Sequence, residues 1–248
     1  MKWLLVVLNF ILFSASLNAQ QPPSPMEILT QADKIRNPQT DYVMRVDVTR
    51  RKSNRKDSVS NYEVMVNGRE KTLVLTLSPI DDKGRILLML GKDLWVHLPN
   101  LTKPLHISLG ERFKGEISYG DIVRANFTRD YNPRLSKSKE IDGKEYYVLE
   151  LTANAPDVTY FRVVLWVEEG SYRPLKAEFY AVSGRLLKTC TYGNYRKAAG
   201  LIRPTRIVMT DALLKGQNTV IDCHDMELKK VPDKYFTKNY MKMLAMVK

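Results

Sequence analysis

Two cysteines in 248 residues are too few for a disulfide scaffold, and neither Cys190 nor Cys223 stands in the CxxC spacing of a redox site. Whether the two pair is open at this level, because each falls in an expected strand with another strand between them. His97, His106 and His224 share no HExxH or comparable ligand spacing, so no metal is expected. No GxSxG elbow, phosphate-cradling glycine loop or dinucleotide fingerprint occurs. Glu140, Asp142, Glu145 and Glu150 are the carboxylates nearest to a glycosidase pair, but no spacing in one dimension fixes the separation that chemistry needs. The chain therefore reads as a non-enzyme with no catalytic group and no cofactor. Long apolar runs are missing as well. The greatest, Trp3 to Phe13, is about half of a membrane span.

What that run does fit is an export signal. Lys2 precedes it and Ser14-Ala15-Ser16-Leu17-Asn18-Ala19 follows with the small residues a peptidase cuts beside, so residues 1–19 are expected to be removed after Ala19. No cysteine follows to carry a lipid. The expected product, residues 20–248, is a single soluble domain in the periplasm. Its charge stays basic: 39 Lys and Arg against 27 Asp and Glu give +12, and loss of Lys2 leaves 38 minus 27, or +11. Export argues against nucleic acid as a partner. Arg50-Arg51-Lys52, Arg55-Lys56, Arg134, Lys137 and Lys139 make basic clusters that suit an anionic membrane surface or simply limit self-association, and a monomer is expected.

After three prolines, Met26 to Arg36 carries Ile28, Leu29, Ala32 and Ile35 at helical spacing. Ser24 fits the N-cap, Pro25 the first turn and Glu27 the third position of a capping box. From Tyr42 onward the period changes to two. Tyr42, Met44, Val46 and Val48 alternate with Val43, Arg45, Asp47 and Thr49, and Asn67-Gly68, Gly91-Lys92 and Asp142-Gly143 are tight-turn signals between further alternating runs. About eleven strands with short connections leave no room for parallel crossovers. The predicted architecture is mainly β, a strongly curved antiparallel incomplete barrel with short helices forming a lid.

Alternation stops between Glu116 and Asn132, where Ser118 caps a predicted short helix with Asp121 three positions on and Phe127 on its apolar side. A second short helix is expected at the C-terminus, with Tyr240, Met241, Leu244, Ala245 and Val247 as its apolar positions. The lid is thus assigned to Ile28, Leu29, Ala32, Ser118, Tyr119, Asp121 and Phe127. The inner wall is assigned to Leu73, Leu75, Leu88, Trp95, Val96, Leu149, Phe161, Leu165 and Phe179. Periodicity alone does not say whether these residues fill a solid core or leave an apolar cavity.

The run Gly110-Glu111-Arg112-Phe113-Lys114-Gly115-Glu116-Ile117-Ser118-Tyr119-Gly120-Asp121-Ile122, followed by Asp130-Tyr131, resembles the segment that marks LolA-like outer-membrane lipoprotein-sorting proteins. Gly91 to Pro99 resembles that family's strand with an aromatic residue followed by proline, and Val231-Pro232-Asp233-Lys234-Tyr235-Phe236 its closing segment. Ser118, Tyr119 and Asp121 match the family's helix start, while Glu116, Ile117 and Gly120 depart from it. The resemblance spans about Met26 to Tyr240. It implies a half-barrel whose apolar concavity takes the acyl chains of a lipoprotein or lipid and moves them toward the outer membrane. It also implies an inner-membrane transporter and an outer-membrane acceptor as partners, with Arg45 the nearest candidate for partner contact. The alternative is a non-catalytic periplasmic binding or scaffold module beside an inner-membrane transporter.

Overall fold

The computed structural model describes residues 22–52, 55–68, 70–107, 126–156, 158–213 and 216–246. The export segment and Ser118, Tyr119 and Asp121 lie outside the described residues. Helix α1 spans Pro25–Arg36. Its start is the capping box the sequence predicts: the Ser24 amide donates to Glu27 Oε2 (2.7 Å) and the Glu27 amide to Ser24 Oγ (3.2 Å). Those two bonds hold the Glu27 carboxyl below the usual carboxylate range. Ile28, Leu29 and Ala32 are fully buried, so the apolar stripe does meet a partner.

That partner is one antiparallel sheet of thirteen strands. β1 (Tyr42–Arg51), β2 (Ser58–Asn67), β3 (Lys71–Ser78), β4 (Ile86–Leu90), β5 (Asp93–His97) and β6 (Leu105–Ile107) form one half. β7 (Tyr131–Ile141), β8 (Lys144–Ala153), β9 (Arg162–Glu168), β10 (Pro174–Tyr180), β11 (Leu186–Ala198), β12 (Leu201–Asp211) and β13 (Asn218–Leu228) form the other. The two meanders join where β1 pairs with β13, leaving β6 and β7 as the edges. The strand count exceeds the sequence expectation of about eleven; three-residue β6 is too short to show a period. Asp142-Gly143 and Ala199-Gly200 take positive φ at both turn positions, the twist that tight hairpins require.

The sheet is curled but not closed. Arg129, just before β7 at one edge, reaches Glu70, just before β3 in the other half (3.1 Å), and inner residues of β5 and β8 share one core. Twist accumulating over thirteen strands brings such distant members together. The inner core joins α1 and Phe127 to Met44, Val46, Val64, Leu149, Leu165 and Phe179, among others.

A second core lies on the outer face of β3 and β4. Helix α3 (Lys238–Met246), reached through a 3-10 turn at Asp233–Tyr235, covers Leu73, Leu75, Ile86 and Leu88 there. Its place is fixed by Asp41, whose carboxylate accepts from the Gly68 amide (3.0 Å), Asn67 Nδ2 (3.2 Å) and the Val231 amide (3.1 Å). Between α1 and α3, the four-residue helix α2 (Phe127–Asp130) leads directly into β7.

Replacing Ser24 with Ala removes half of the capping box. The expected loss is about 1 kcal/mol, seen as a melting temperature roughly 2–4 °C lower by calorimetry. An unchanged melting curve would mean that α1 depends on side-chain packing alone.

Candidate functional site

The inner core is not filled. Between α1, α2, β1 and strands of the second half lies a cavity of about 90 Å3, walled mainly by Met44, Val46, Phe127, Phe179, Met209 and Ile221. Apart from Phe127 of α2, these residues share one face of the sheet, because successive side chains of a strand point to opposite faces. Register explains why several walls converge: Val46 stands opposite Cys223, and Cys190 opposite Met209.

The charged residues that line the cavity, Arg36 of α1 and Asp130 of α2, belong to the lid, and Asp33 holds Arg36 from behind. Asp33 is buried on α1, yet its Oδ2 accepts from both the amide and the hydroxyl of Thr128 on α2 (2.7 Å each). Its Oδ1 takes a bond from Arg36 (2.9 Å), and the Arg36 guanidinium lies over the Phe127 ring at 3.9 Å. Burial pushes the Asp33 carboxyl above the usual carboxylate range, and Arg36 and Thr128 pull it part of the way back. One carboxylate thus ties α1 to α2. Arg203, buried beneath α1, donates to the carbonyls of Lys34 and Ile35 (3.2 Å to Ile35), satisfying two acceptors at the helix end.

Of the residues assigned to the wall, Phe179 lines this cavity. Val96, Leu149 and Leu165 belong to the same inner core without reaching the open space. Leu73, Leu75 and Leu88 are on the other face, under α3, and Trp95 joins them with Lys238 Nζ 3.3 Å above its ring. The correction has a simple cause. β3 and β4 are buried on both faces, so their apolar runs carry no alternation to choose a side. Phe161 is also displaced: β9 begins one residue later, and the ring is 44% exposed at the sheet rim.

Of the lid residues, Ile28, Leu29, Ala32 and Phe127 pack onto the inner face. Arg45 points to the outer face, mostly exposed, with Asp225 Oδ2 at 3.8 Å. The sequence reading missed Asp33 and Arg36. Leu29, Asp33 and Arg36 follow one another at i, i+4 and i+7, so the apolar stripe of α1 continues into an ion pair, and that spacing was the available signal.

Cys190 and Cys223 both face the cavity as thiols, not joined in a disulfide. Cys190 sits opposite Met209, Met209 opposite Thr219, and Cys223 four residues beyond Thr219. With β12 between them the strands stand roughly 9–10 Å apart, beyond the ~7 Å limit for a disulfide even before the offset along the strand. Burial and the charge of Asp222 push the Cys223 thiol up to about 12. Among the described residues no group of three His, Cys, Asp or Glu side chains is arranged to hold a metal ion.

A curled antiparallel sheet that leaves an apolar hollow under short helices defines a LolA-like half-barrel. The fold matches a LolA superfamily protein from Nitrosomonas europaea with 44% identity and a TM-score of 0.83, over 88% of this chain and 100% of that one. The chain belongs to the LolA superfamily. A family model described as "Uncharacterized protein" also matches residues 68–243. Two more distant structures share the fold. A domain assigned as an outer membrane lipoprotein-sorting protein from Vibrio parahaemolyticus gives 24% identity and a TM-score of 0.75, covering 88% and 98% of the two chains. A DUF1329 family protein from Desulfovibrio piger gives 21% and 0.78, covering 88% and 100%. No curated protein is matched.

Asp33→Ala leaves Arg36 buried without its counter-charge. A loss of about 3 kcal/mol is expected in urea unfolding, since breaking a buried pair from one side strands the other charge. Because the folded state holds the Asp33 proton more tightly than the unfolded chain, stability is lost as pH rises from the ordinary carboxylate range through the raised value. Asp33→Asn should flatten that slope. Alkylation of the unfolded, unreduced protein should add two labels by mass, whereas a chain carrying none would overturn the register-based separation of the thiols.

Proposed function

We propose that the protein is an extracytoplasmic carrier that shelters the acyl chains of lipoproteins or lipids in the inner cavity and moves them through the periplasm toward the outer membrane. The observation that carries this reading is the hollow itself, a mainly apolar space beside the buried inner core. The kinship with the LolA superfamily supports it. Each methylene sheltered from water contributes about 0.8 kcal/mol, so a twelve-carbon chain offsets on the order of 10 kcal/mol before ordering losses. No covalent step is involved, and the protein is not an enzyme in this reading.

The cavity of about 90 Å3 is smaller than the roughly 300–1,000 Å3 of ordinary ligand sites. Loading therefore requires α1 to lift, and the Asp33 and Arg203 bonds set what that movement costs. Release follows the same coordinate in reverse: an acceptor that favours the closed form expels the chain, because a ligand shifts the two states only by its differential affinity. In this scheme an inner-membrane transporter supplies the cargo and an outer-membrane acceptor receives it.

Organic extraction of the purified mature protein followed by mass spectrometry should yield acyl species. Ile207→Trp, which fills the cavity from a half-buried wall position, should lower the lipid recovered at least ten-fold while retaining the wild-type circular dichroism. Repeated absence of acyl species from wild-type protein, with no transfer of an acylated partner between membranes, would leave the scaffold role beside a transporter as the better reading.

A further inference from the structure

One rim of the sheet combines features that neither the core nor the cavity requires. Phe161 is bonded through its amide to the Tyr180 carbonyl, Val182 stands at the tip of the β10–β11 turn, and Leu213 follows Ala212, whose amide donates to Leu187. All three side chains face solvent, at 44%, 78% and 51% exposure. The same rim continues without a break from β12 through β13 to β1 and β2, where Asp211 opposes Lys188 and Asn218 opposes Arg51. Seven neighbouring strand ends at this spacing make a front roughly 30 Å wide.

The charge along that front is one-sided. Arg51, Lys52, Arg55 and Lys56 come from the β1–β2 connection, and Arg185 and Lys188 from β11 and the turn before it. Among the described residues of these segments the carboxylates are Asp57, 3.4 Å from Arg51, and Asp211. The rim is also joined to the cavity. Met209 belongs to the cavity wall and to the basic recess formed with Arg50, Arg51 and Lys188, while Thr159 and Tyr160 of the cavity wall directly precede Phe161.

We propose that this rim docks on an anionic lipid bilayer, with Phe161, Val182 and Leu213 entering the interface and the lysines and arginines resting on the phosphates. Apolar tips flanked by cations have this complementarity: the side chains gain from leaving water, and each cation near an anionic surface strengthens attachment about five-fold at moderate ionic strength. Such docking sets the cavity wall beside the membrane. It is independent of whether the cavity carries a lipid.

Vesicle flotation tests it, with the purified mature protein and bilayers of phosphatidylcholine alone or mixed with phosphatidylglycerol. Binding is expected to the mixed vesicles, to weaken in high salt, and to fall about five-fold for Lys56→Ala and again for Arg185→Ala. Val182→Asp with Leu213→Asp, both at solvent-facing positions, should weaken it at least ten-fold without changing the melting temperature or the lipid extracted from the cavity. Equal partition onto both vesicle types, no partition at low salt, or binding that this double variant leaves unaltered would each overturn the proposal. Retained acyl species in a protein that fails to float would separate this failure from failure of the carrier reading.

Discussion

The constraint on which everything else rests is geometric: a sheet of thirteen twisted strands bends around a volume that, among the described residues, two short helices do not fill. α1 contributes Ile28, Leu29 and Ala32 to that volume and α2 contributes Phe127. The strands supply far more apolar surface from both halves. Among the described residues the cover leaves a hollow, and the curl places it between α1, α2 and residues of β1, β10, β11, β12 and β13.

Polar interactions sharpen this arrangement without driving it. Asp33 is fixed by Thr128 and Arg36, and it is their geometry, more than a large net gain, that sets the angle between the helices. Arg203 answers the carbonyls at the end of α1. Asp41 performs the same service outside, joining the β2–β3 turn to the segment that leads into α3. Each is a buried or half-buried group with its partners supplied, which the cost of desolvating polar atoms demands.

Much of this fold could be read directly from residue order. The capping box at Ser24 and Glu27 and the alternation of β1 are local signals, and the structure reproduces both. Arg45 shows where residue type stops being enough: its outward direction follows from the same alternation that buries Met44 and Val46. The wall of the cavity was less legible. Leu73, Leu75 and Leu88 are as apolar as the inner residues because α3 gives the outer face of β3 and β4 a core of its own. Which of two greasy faces turns inward depends on a helix more than 150 residues away, and no local window contains it. Met209, Ile221 and Cys223 were missed for a related reason, since their convergence depends on strand register and on the pairing of β1 with β13.

The separation of Cys190 from Cys223 has a consequence for how the chain matures. With no cross-link between the two thiols in the finished sheet, the native state owes nothing to an oxidant or a disulfide isomerase. What joins the two halves of the sheet instead is the backbone pairing of its first and last strands, β1 and β13.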